Sequence, residues 1–284
     1  MDAHRFEAEV PGGTLVGTVE GDGTPLLMLH GGPGLSAHLL DGLVTEFRPG
    51  YRVALYQQRG LTPSTARAPY DVAQQVQDVG SVLDALGWET AVVLGVSWGG
   101  HLVLHALAAI PDRLRAAVVV DPLGGVGDGG AAEFEAAMNE GAPVESRARA
   151  EELDRRAVAG EGTEADALEA FTLVWPAYFA DPSTAPPVPD GTEIALEAYA
   201  ATWASVQHEL PGLAARLAGA AVPTVFVHGG SSPMPLTASA DTAAAIGAAA
   251  SVVVVPGSGH FVWHENPGAV RAAVDRLLAV PPGA

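Results

Sequence analysis

The fold of this chain is decided by residues 90–99, TAVVLGVSWG. Residues 90–96 are almost wholly apolar, which is typical of a strand buried on both faces of a sheet. The apolar run 101–110 that follows predicts a helix. Between the two lies the pattern G-x-S-x-G, a turn that lifts the oxygen of Ser97 out at a helix N-terminus, where the helix dipole favours developing negative charge. Ser97 is therefore a candidate nucleophile.

Outward from this stretch, predicted strands alternate with helices. Further strands are predicted at residues 5–10, 13–20, 25–30, 51–56, 115–121, 224–228 and 251–255, and further helices at residues 72–86 and 267–280. This alternation predicts the α/β class, with a mostly parallel sheet that helices cover on both faces. Residues 122–218 lack comparable β-branched runs and contain the helical stretches 146–158 and 165–175. We therefore predict a core made of residues 1–121 and 219–284, with residues 122–218 inserted as a helical lid over the carboxyl ends of the strands.

Composition excludes several classes of function. The chain of 284 residues has 14 Lys and Arg against 33 Asp and Glu, a net charge of −19 that disfavours binding to nucleic acid or to an anionic membrane. The absence of cysteine excludes disulfides, thiolate zinc sites and cysteine nucleophiles. The N-terminal sequence lacks a signal-peptide pattern, and no unbroken apolar stretch reaches the roughly 18 residues of a membrane span. We expect a soluble cytoplasmic protein that acts on a small molecule, and its oligomeric state is left open.

A glycine-rich loop, His30-Gly31-Gly32-Pro33-Gly34, follows the third predicted strand. Glycines let backbone N–H groups approach a ligand closely, and such donors stabilise an oxyanion in acyl transfer. We assign this role to the N–H groups of Gly32 and Trp98. A tight turn or a phosphate loop is the alternative, but no G-K-[ST] sequence accompanies the glycines.

A histidine follows the last predicted strand, in the sequence GSGHF at residues 257–261. A serine nucleophile needs a base within hydrogen-bond reach, and histidine has a suitable pKa. Because His260 and Ser97 both lie at carboxyl ends of strands in one sheet, we predict that His260 is the base. The order serine before histidine is that of the nucleophile-elbow architecture.

Together these motifs resemble the α/β-hydrolase superfamily and, within it, the proline iminopeptidase-like group. The matching residues are His30-Gly31-Gly32-Pro33-Gly34, Gln58-Arg59-Gly60, Gly95-Val96-Ser97-Trp98-Gly99-Gly100 and Gly259-His260-Phe261. The resemblance spans the chain apart from the lid. It implies the α/β-hydrolase fold and a serine hydrolase that uses no cofactor and no metal.

Two departures from that family stand out. The family usually has Asp-Gln-Arg-Gly where this chain has Gln57-Gln58-Arg59-Gly60, and its catalytic acid usually follows the strand at residues 224–228, where this chain has Ser232. Three explanations compete: the acid has moved, a serine–histidine dyad works without it, or the protein no longer hydrolyses. We favour a moved acid, Asp121, because it ends an otherwise apolar strand at the same edge of the sheet. A solvated aspartate that caps the next turn is the alternative.

Aromatic residues are concentrated in the predicted lid, at Phe171, Trp175, Tyr178, Phe179, Tyr199 and Trp203. From these we select Trp175, Tyr178, Phe179 and Trp203 as candidate substrate-binding residues, with packing of the lid onto the core as an equally good interpretation of each. A Trp-Glu pair, which the resembled aminopeptidases use in the lid, is missing there. His101 and His105 share a helix face but lack the pattern of a metal site.

The sequence therefore predicts a serine hydrolase that cleaves an ester, lactone or amide of a small, largely apolar substrate. Ser97 would attack, His260 would carry the proton and Asp121 would orient His260. Two alternatives stay open: a proline iminopeptidase-type aminopeptidase, and a protein of the hydrolase fold that binds or shapes a small molecule without hydrolysis.

Overall fold

One sheet of eight strands forms the centre of the molecule. The computed structural model describes residues 3–279, apart from the side chains of residues 154 and 158. The strands are β1 (His4–Val10), β2 (Gly13–Glu20), β3 (Thr24–Leu29), β4 (Tyr51–Gln57), β5 (Ala91–Val96), β6 (Leu114–Val120), β7 (Thr224–Gly229) and β8 (Ala250–Val255). Their order is β1-β2-β4-β3-β5-β6-β7-β8, with the first two antiparallel to their neighbours and all later pairs parallel. The predicted α/β fold with a mostly parallel sheet is confirmed.

Alternate side chains of the central strands pack into two separate hydrophobic cores, one on each face of the sheet. In β3, Leu27 and Leu29 face one core, while Leu26 and Met28 face the other, and all four are fully buried. Because side chains of a strand alternate between faces, a strand covered on both sides must be apolar at every position. This is why the buried strands read as unbroken apolar runs in the sequence.

Helices cover both faces of the sheet. They are α1 (Asp41–Phe47), α2 (Val72–Ala85), α3 (Trp98–Ala109), α4 (Ala131–Gly141), α5 (Val144–Val158), α6 (Glu164–Val174), α7 (Leu196–Leu217), α8 (Leu236–Ile246), α9 (Val262–Glu265) and α10 (Ala269–Ala279). Buried residues of α2, α3, α8 and the second half of α7 belong to the first core. Those of α1, α9 and α10 belong to the second. Among the helices of residues 3–279, none has the length and apolarity that crossing a membrane requires.

The segment between β6 and β7 contains α4 to α7 and lies partly over the loops at the carboxyl ends of the strands. Residues 192–195, which we call the strap, run beside the loop that follows β3. Ser36 N–H donates to the Glu193 carbonyl at 3.1 Å, the Ser36 hydroxyl accepts from Glu193 N–H at 3.0 Å, and Ala195 N–H donates to the Gly34 carbonyl at 2.7 Å. Leu35 and Ile194 form an isolated β-bridge at the same place. The inserted segment is therefore joined to the core by backbone pairing.

The strand order reverses direction between β3 and β5. The chain leaves β3 toward β4 on one side and leaves β5 toward β6 on the other, so the loops after β3 and β5 diverge. In open α/β sheets a crevice forms at such a point, outside the carboxyl ends of the strands. The glycine-rich loop and Ser97 flank this crevice.

An ion pair lies buried beneath the loop that follows β4. The guanidinium of Arg59 donates to both carboxylate oxygens of Asp78, at 2.6 and 2.7 Å, and both side chains are almost fully buried. A two-pronged geometry of this kind satisfies a buried charge pair. Arg59, in the Q-R-G sequence of the resembled family, therefore anchors its loop.

Two histidines of α3 form a buried hydrogen-bonded chain. His101 Nδ1–H donates to the Leu123 carbonyl at 3.1 Å, and His105 Nε2–H donates to His101 Nε2 at 3.2 Å. Burial lowers the pKa of His101 to about 4 and that of His105 to about 2. Both rings are therefore neutral in the folded protein at physiological pH.

We predict that this pair weakens the fold in acid. The unfolded chain protonates His105 near its ordinary pKa of 6.5, whereas the folded chain does so only near 2. The unfolded state thus binds more protons below pH 6.5, and stability is lost as the pH falls through that range. The free energy of unfolding falls as the pH goes from 7 to 5. In His105→Gln this fall should be about 2 kcal/mol smaller than in wild type.

Urea titrations at the two pH values measure this difference. The matched control is His208→Gln, because the side chain of His208 is 85% exposed. If the free energy of unfolding depends on pH equally in His105→Gln and wild type, His105 is not the group that weakens the fold in acid.

Candidate active site

Ser97 stands on a sharp turn between β5 and α3. Its backbone adopts φ 56° and ψ −120°, a conformation that is rare for a residue with a side chain. Two glycines permit the turn. A Cβ at Gly95 would lie 2.0 Å from the Gly99 carbonyl oxygen, and a Cβ at Gly99 would lie 2.1 Å from the Leu29 carbonyl oxygen. Only glycine fits at either position, so the G-x-S-x-G pattern has a steric cause here.

The glycine-rich loop approaches Ser97 from β3. A Cβ placed on Gly31 would lie 3.2 Å from Cβ of Ser97, and Gly32 has a φ of +55°. Trp98 opens α3, and the first N–H groups of a helix have no acceptor within the helix. The two backbone segments that carry the N–H groups of Gly32 and Trp98 therefore flank Ser97 closely.

Two glutamines fix this loop. Gln58 donates from its backbone N–H to His30 Nε2 and from its side chain to the His30 carbonyl, both at 3.1 Å, and its Oε1 accepts from Trp98 Nε1 at 2.9 Å. The Gln57 side chain accepts from Ala37 N–H at 3.0 Å. An amide oxygen thus fills the position where the resembled family has aspartate, and the altered Q-Q-R-G sequence leaves the loop held in place.

His260 and Asp121 meet across the ends of β8 and β6. The Nδ1–H of His260 donates to Asp121 Oδ2 at 2.6 Å, and both side chains are almost fully buried. Because a carboxylate only accepts, Nδ1 carries the proton and Nε2 is left with a lone pair. The structure therefore brings together Asp121 and His260, two of the three residues that the sequence selects for chemistry.

The carboxylate of Asp121 is held by several donors. Its Oδ1 accepts from Gly229 N–H at 3.1 Å, and its Oδ2 accepts from the Ser232 hydroxyl as well as from His260. The backbone of Asp121 has a φ of 45°, a region in which aspartate and asparagine occur more often than other side chains. Ser232, which stands at the family's usual acid position, thus contacts the carboxylate at Asp121.

A second histidine lies on the other side of Asp121. His228 Nε2–H donates to the Met234 carbonyl at 3.1 Å, and its Nδ1 lies 3.0 Å from the Ser239 hydroxyl and 3.1 Å from Asp121 Oδ1. Burial lowers the pKa of His228, and the Asp121 carboxylate partly opposes this effect. In the neutral ring, Nδ1 accepts from Ser239, so Oδ1 of Asp121 depends on Gly229 for its hydrogen bond.

A small apolar cavity lies against Ser97. Its volume is about 50 Å³, and its walls include Gly31, Gly32, Ser97 and His260. The remaining wall is apolar or aromatic and comprises Leu35, Leu39, Leu40, Val96, Phe171, Tyr178 and Phe261. No Asp or Glu is among the described residues that line it. Ser97 and His260 therefore face one small, largely apolar space.

The aromatic residues of the segment between β6 and β7 divide between this cavity and the cores. Tyr178 lines the cavity, with its ring centroid 5.2 Å from that of His260, and Phe171 joins it there. Trp175 and Phe179 are buried behind them against Phe261. Trp203 packs against the first core. Trp175, Phe179 and Trp203 are absent from the described wall of this cavity, and their contact with substrate stays a prediction.

Sequence reasoning missed Glu265, which connects the segment between β6 and β7 to the loop that carries His260. One of its carboxylate oxygens accepts from Gly259 N–H at 2.6 Å and the other from Ala180 N–H at 2.9 Å. His260 N–H also donates to the Tyr178 carbonyl, at 2.7 Å. The only signal in the sequence is an acidic residue five positions after the histidine, which is too common to single out.

Metal-binding residues do not gather within residues 3–279. With the side chain of residue 154 left aside, no group of three or more His, Asp or Glu side chains there could hold a metal ion. His101 and His105 bond to each other and to the Leu123 carbonyl instead.

Comparison with known proteins agrees with this geometry. A family model for the alpha/beta hydrolase fold matches residues 24–267. The chain belongs to the α/β-hydrolase family. Over 110 residues it is 38% identical to a proline iminopeptidase from Lactobacillus delbrueckii subsp. bulgaricus, a match that covers 36% of this chain and 37% of that protein. The resemblance seen in the motifs is thereby confirmed, although the match spans little more than a third of the relative.

Two solved structures show the same fold over nearly the whole chain. Naproxen esterase from Bacillus subtilis superposes with a TM-score of 0.67 at 17% identity, covering 98% of this chain and 92% of that one. The enol-lactonase from Burkholderia xenovorans LB400 superposes with a TM-score of 0.65 at 20% identity, covering 96% and 100%. At such low sequence identities, the two superpositions show only that the fold is shared.

We predict that Glu265→Gln loosens the loop that carries His260. The amide retains one acceptor oxygen but turns an N–H group toward one of two backbone N–H donors, which leaves that donor unsatisfied. The free energy of unfolding should fall by about 1–3 kcal/mol in urea titrations. The exposed Glu135→Gln is the matched control, and equal losses in both variants would show that the two hydrogen bonds do not stabilise the loop.

Proposed function

We propose that this protein is a serine hydrolase that cleaves an ester, lactone or amide of a small, largely apolar substrate through an acyl-enzyme on Ser97. One observation carries the proposal. Ser97, on its strained elbow, and His260, bonded through Nδ1 to the buried Asp121, line the same cavity. Membership of the α/β-hydrolase family supports it.

The reaction follows from the roles of these groups. The Ser97 oxygen attacks the acyl carbon and its proton passes to His260 Nε2, while the Asp121 carboxylate stabilises the imidazolium that forms. The intermediate then collapses, and the leaving group takes the proton from Nε2. Water attacks the acyl-enzyme with Nε2 again as base, and this step releases the acid and restores Ser97.

The negative charge that develops on the substrate oxygen needs donors already in place. The N–H groups of Gly32 and Trp98 are the candidates, because the close approach of Gly31 to Ser97 brings their two segments together. The N-terminus of α3 adds a favourable dipole at the same point. No proton transfer is required for this stabilisation.

The size of the cavity indicates a short acyl group. A buried water occupies about 10–15 Å³ on a comparable measure, so about 50 Å³ holds roughly three to five non-hydrogen atoms. The apolar wall favours a hydrocarbon chain over a charged one. We therefore propose an acyl group of about two to four carbons as the preferred substrate part.

A proline iminopeptidase activity is the second candidate. The partial match at 38% identity favours it. An aminopeptidase must hold the charged amine of its substrate, and the described wall of the cavity offers no carboxylate for that purpose. Turnover of p-nitrophenyl acetate compared with proline p-nitroanilide separates the two. Preference for the anilide would favour the aminopeptidase.

We predict that Ser97→Ala abolishes turnover and fluorophosphonate labelling. We also predict that Asp121→Asn lowers kcat by about 10³–10⁴-fold on p-nitrophenyl acetate, because the amide cannot stabilise the imidazolium. Asparagine tolerates the backbone conformation at position 121, so the fold should persist. The matched control is Asp241→Asn on the exposed face of α8.

Each outcome has a defined meaning. Full labelling of Ser97 with a near wild-type rate in Asp121→Asn would exclude Asp121 as the acid. Absence of labelling in the wild-type protein, together with tight binding of a small ligand, would support the third possibility, a hydrolase fold used for binding alone.

We predict that Phe171→Ala shifts the chain-length preference toward longer acyl groups. Wild type should favour p-nitrophenyl acetate or butyrate over the octanoate by at least about tenfold in kcat/KM, since each excess methylene must displace wall atoms. Removing the ring of Phe171 enlarges the cavity, so the ratio of kcat/KM for the short esters to kcat/KM for the octanoate should fall. Phe6→Ala is the matched control, because Phe6 is half-buried on β1, at the edge of the sheet away from the cavity. An equal shift in both variants would contradict the assignment.

A further inference from the structure

We propose that Ser232 is a positioning residue for Asp121: its hydroxyl holds the carboxylate in the orientation in which Oδ2 accepts the hydrogen bond from His260. This inference rests on the proposed serine hydrolase function and assigns a role to the residue that replaces the family's usual acid. Ser232 and His260 bond to the same oxygen of Asp121.

The direction of the hydrogen bond is fixed by a third group. The backbone N–H of Met234 donates to the Ser232 hydroxyl oxygen at 3.0 Å. A hydroxyl has a single proton, and an N–H group can only donate, so the Ser232 oxygen accepts from Met234 and its proton points to Asp121. The hydroxyl is thereby oriented as a donor toward the carboxylate.

The position of Ser232 is set by the backbone around it. Ser232 N–H donates to the Gly229 carbonyl at 3.1 Å, which closes a turn at the end of β7. Gly230 N–H donates to the Val255 carbonyl and Ser231 N–H to the Ser258 carbonyl, both at 2.8 Å, so the turn is joined to the end of β8 and the loop beyond it. The donor therefore stands on a rigid support that also carries the histidine loop.

Asp121 needs such a donor because its own strand does not fix its carboxylate. The side chain is fully buried, and among the described residues the other donors to it are Gly229 N–H on Oδ1 and His260 on Oδ2, since His228 Nδ1 accepts from Ser239. Without the hydroxyl, Oδ2 is held by the histidine alone, whose protonation changes during each catalytic cycle. A donor that never titrates keeps the carboxylate in place throughout.

Ser232 is absent from the described wall of the cavity, so it does not meet the substrate. A loss of its hydroxyl should therefore lower kcat and leave KM unchanged. With p-nitrophenyl acetate, we expect Ser232→Ala to reduce kcat about tenfold with KM within twofold of wild type. The acid limb of the pH profile should move to lower pH, because a misaligned carboxylate stabilises the His260 imidazolium less well.

Two further variants make the test specific. Ser232→Thr keeps the hydroxyl and should retain most of the wild-type kcat and the wild-type pH profile. Ser231→Ala is the matched control, because the neighbouring serine is exposed and joins the turn through its backbone. A kcat within twofold of wild type and an unmoved acid limb in Ser232→Ala would overturn the proposal, as would an equal loss in Ser231→Ala.

Proton NMR separates this proposal from the proposed function. The Nδ1–H of a histidine bonded to a buried carboxylate resonates far downfield, and its signal reports the bond without any turnover. In Ser232→Ala this signal should shift or broaden, and in Ser231→Ala it should stay. Absence of fluorophosphonate labelling of Ser97 in wild type would refute the function, whereas an unchanged signal in Ser232→Ala would refute the role of Ser232.

Discussion

The close backbone contact between the elbow and the end of β3 is the constraint on which the whole site depends. The carbonyl of Leu29 occupies the space that a side chain at Gly99 would need. This contact sets the distance between α3 and the glycine-rich loop, and hence the space around Ser97. These two segments can approach so closely only because a glycine stands at the contact. The two glutamines that hold the glycine-rich loop, and the strap, are arranged around this contact at the carboxyl ends of the strands.

The carboxylate of Asp121 is held by groups from the ends of two strands. The carboxylate extends from the end of β6, while its backbone and hydroxyl donors come from the end of β7. A buried carboxylate is costly unless each oxygen is paired, and here both oxygens have partners. One of these partners is the hydroxyl of Ser232, the residue that stands where the resembled family has its acid.

The sequence predicted best those elements whose pattern is local. The strand β5 is apolar at every position and β6 is apolar except at Arg115, and their observed bounds lie within one residue of the prediction. The long helix α7 was missed because Pro211 interrupts its pattern and its apolar residues face two environments. Neither the contact of Ser232 with Asp121 nor the choice of Tyr178 over Trp175 at the cavity could be predicted, since each depends on how separate loops pack together.

The strap adds a consequence for how this protein can diversify. Leu35 lines the cavity beside Ser97, its bridge partner Ile194 lines a larger cavity of about 580 Å³, and main-chain hydrogen bonds hold the wall between them. Main-chain bonds are indifferent to side-chain identity, and the one side-chain group that takes part, the Ser36 hydroxyl, lies outside the strap. Mutations on the side of the strap that faces the larger cavity can therefore change the shape of that cavity, while the cavity beside Ser97 keeps its dimensions.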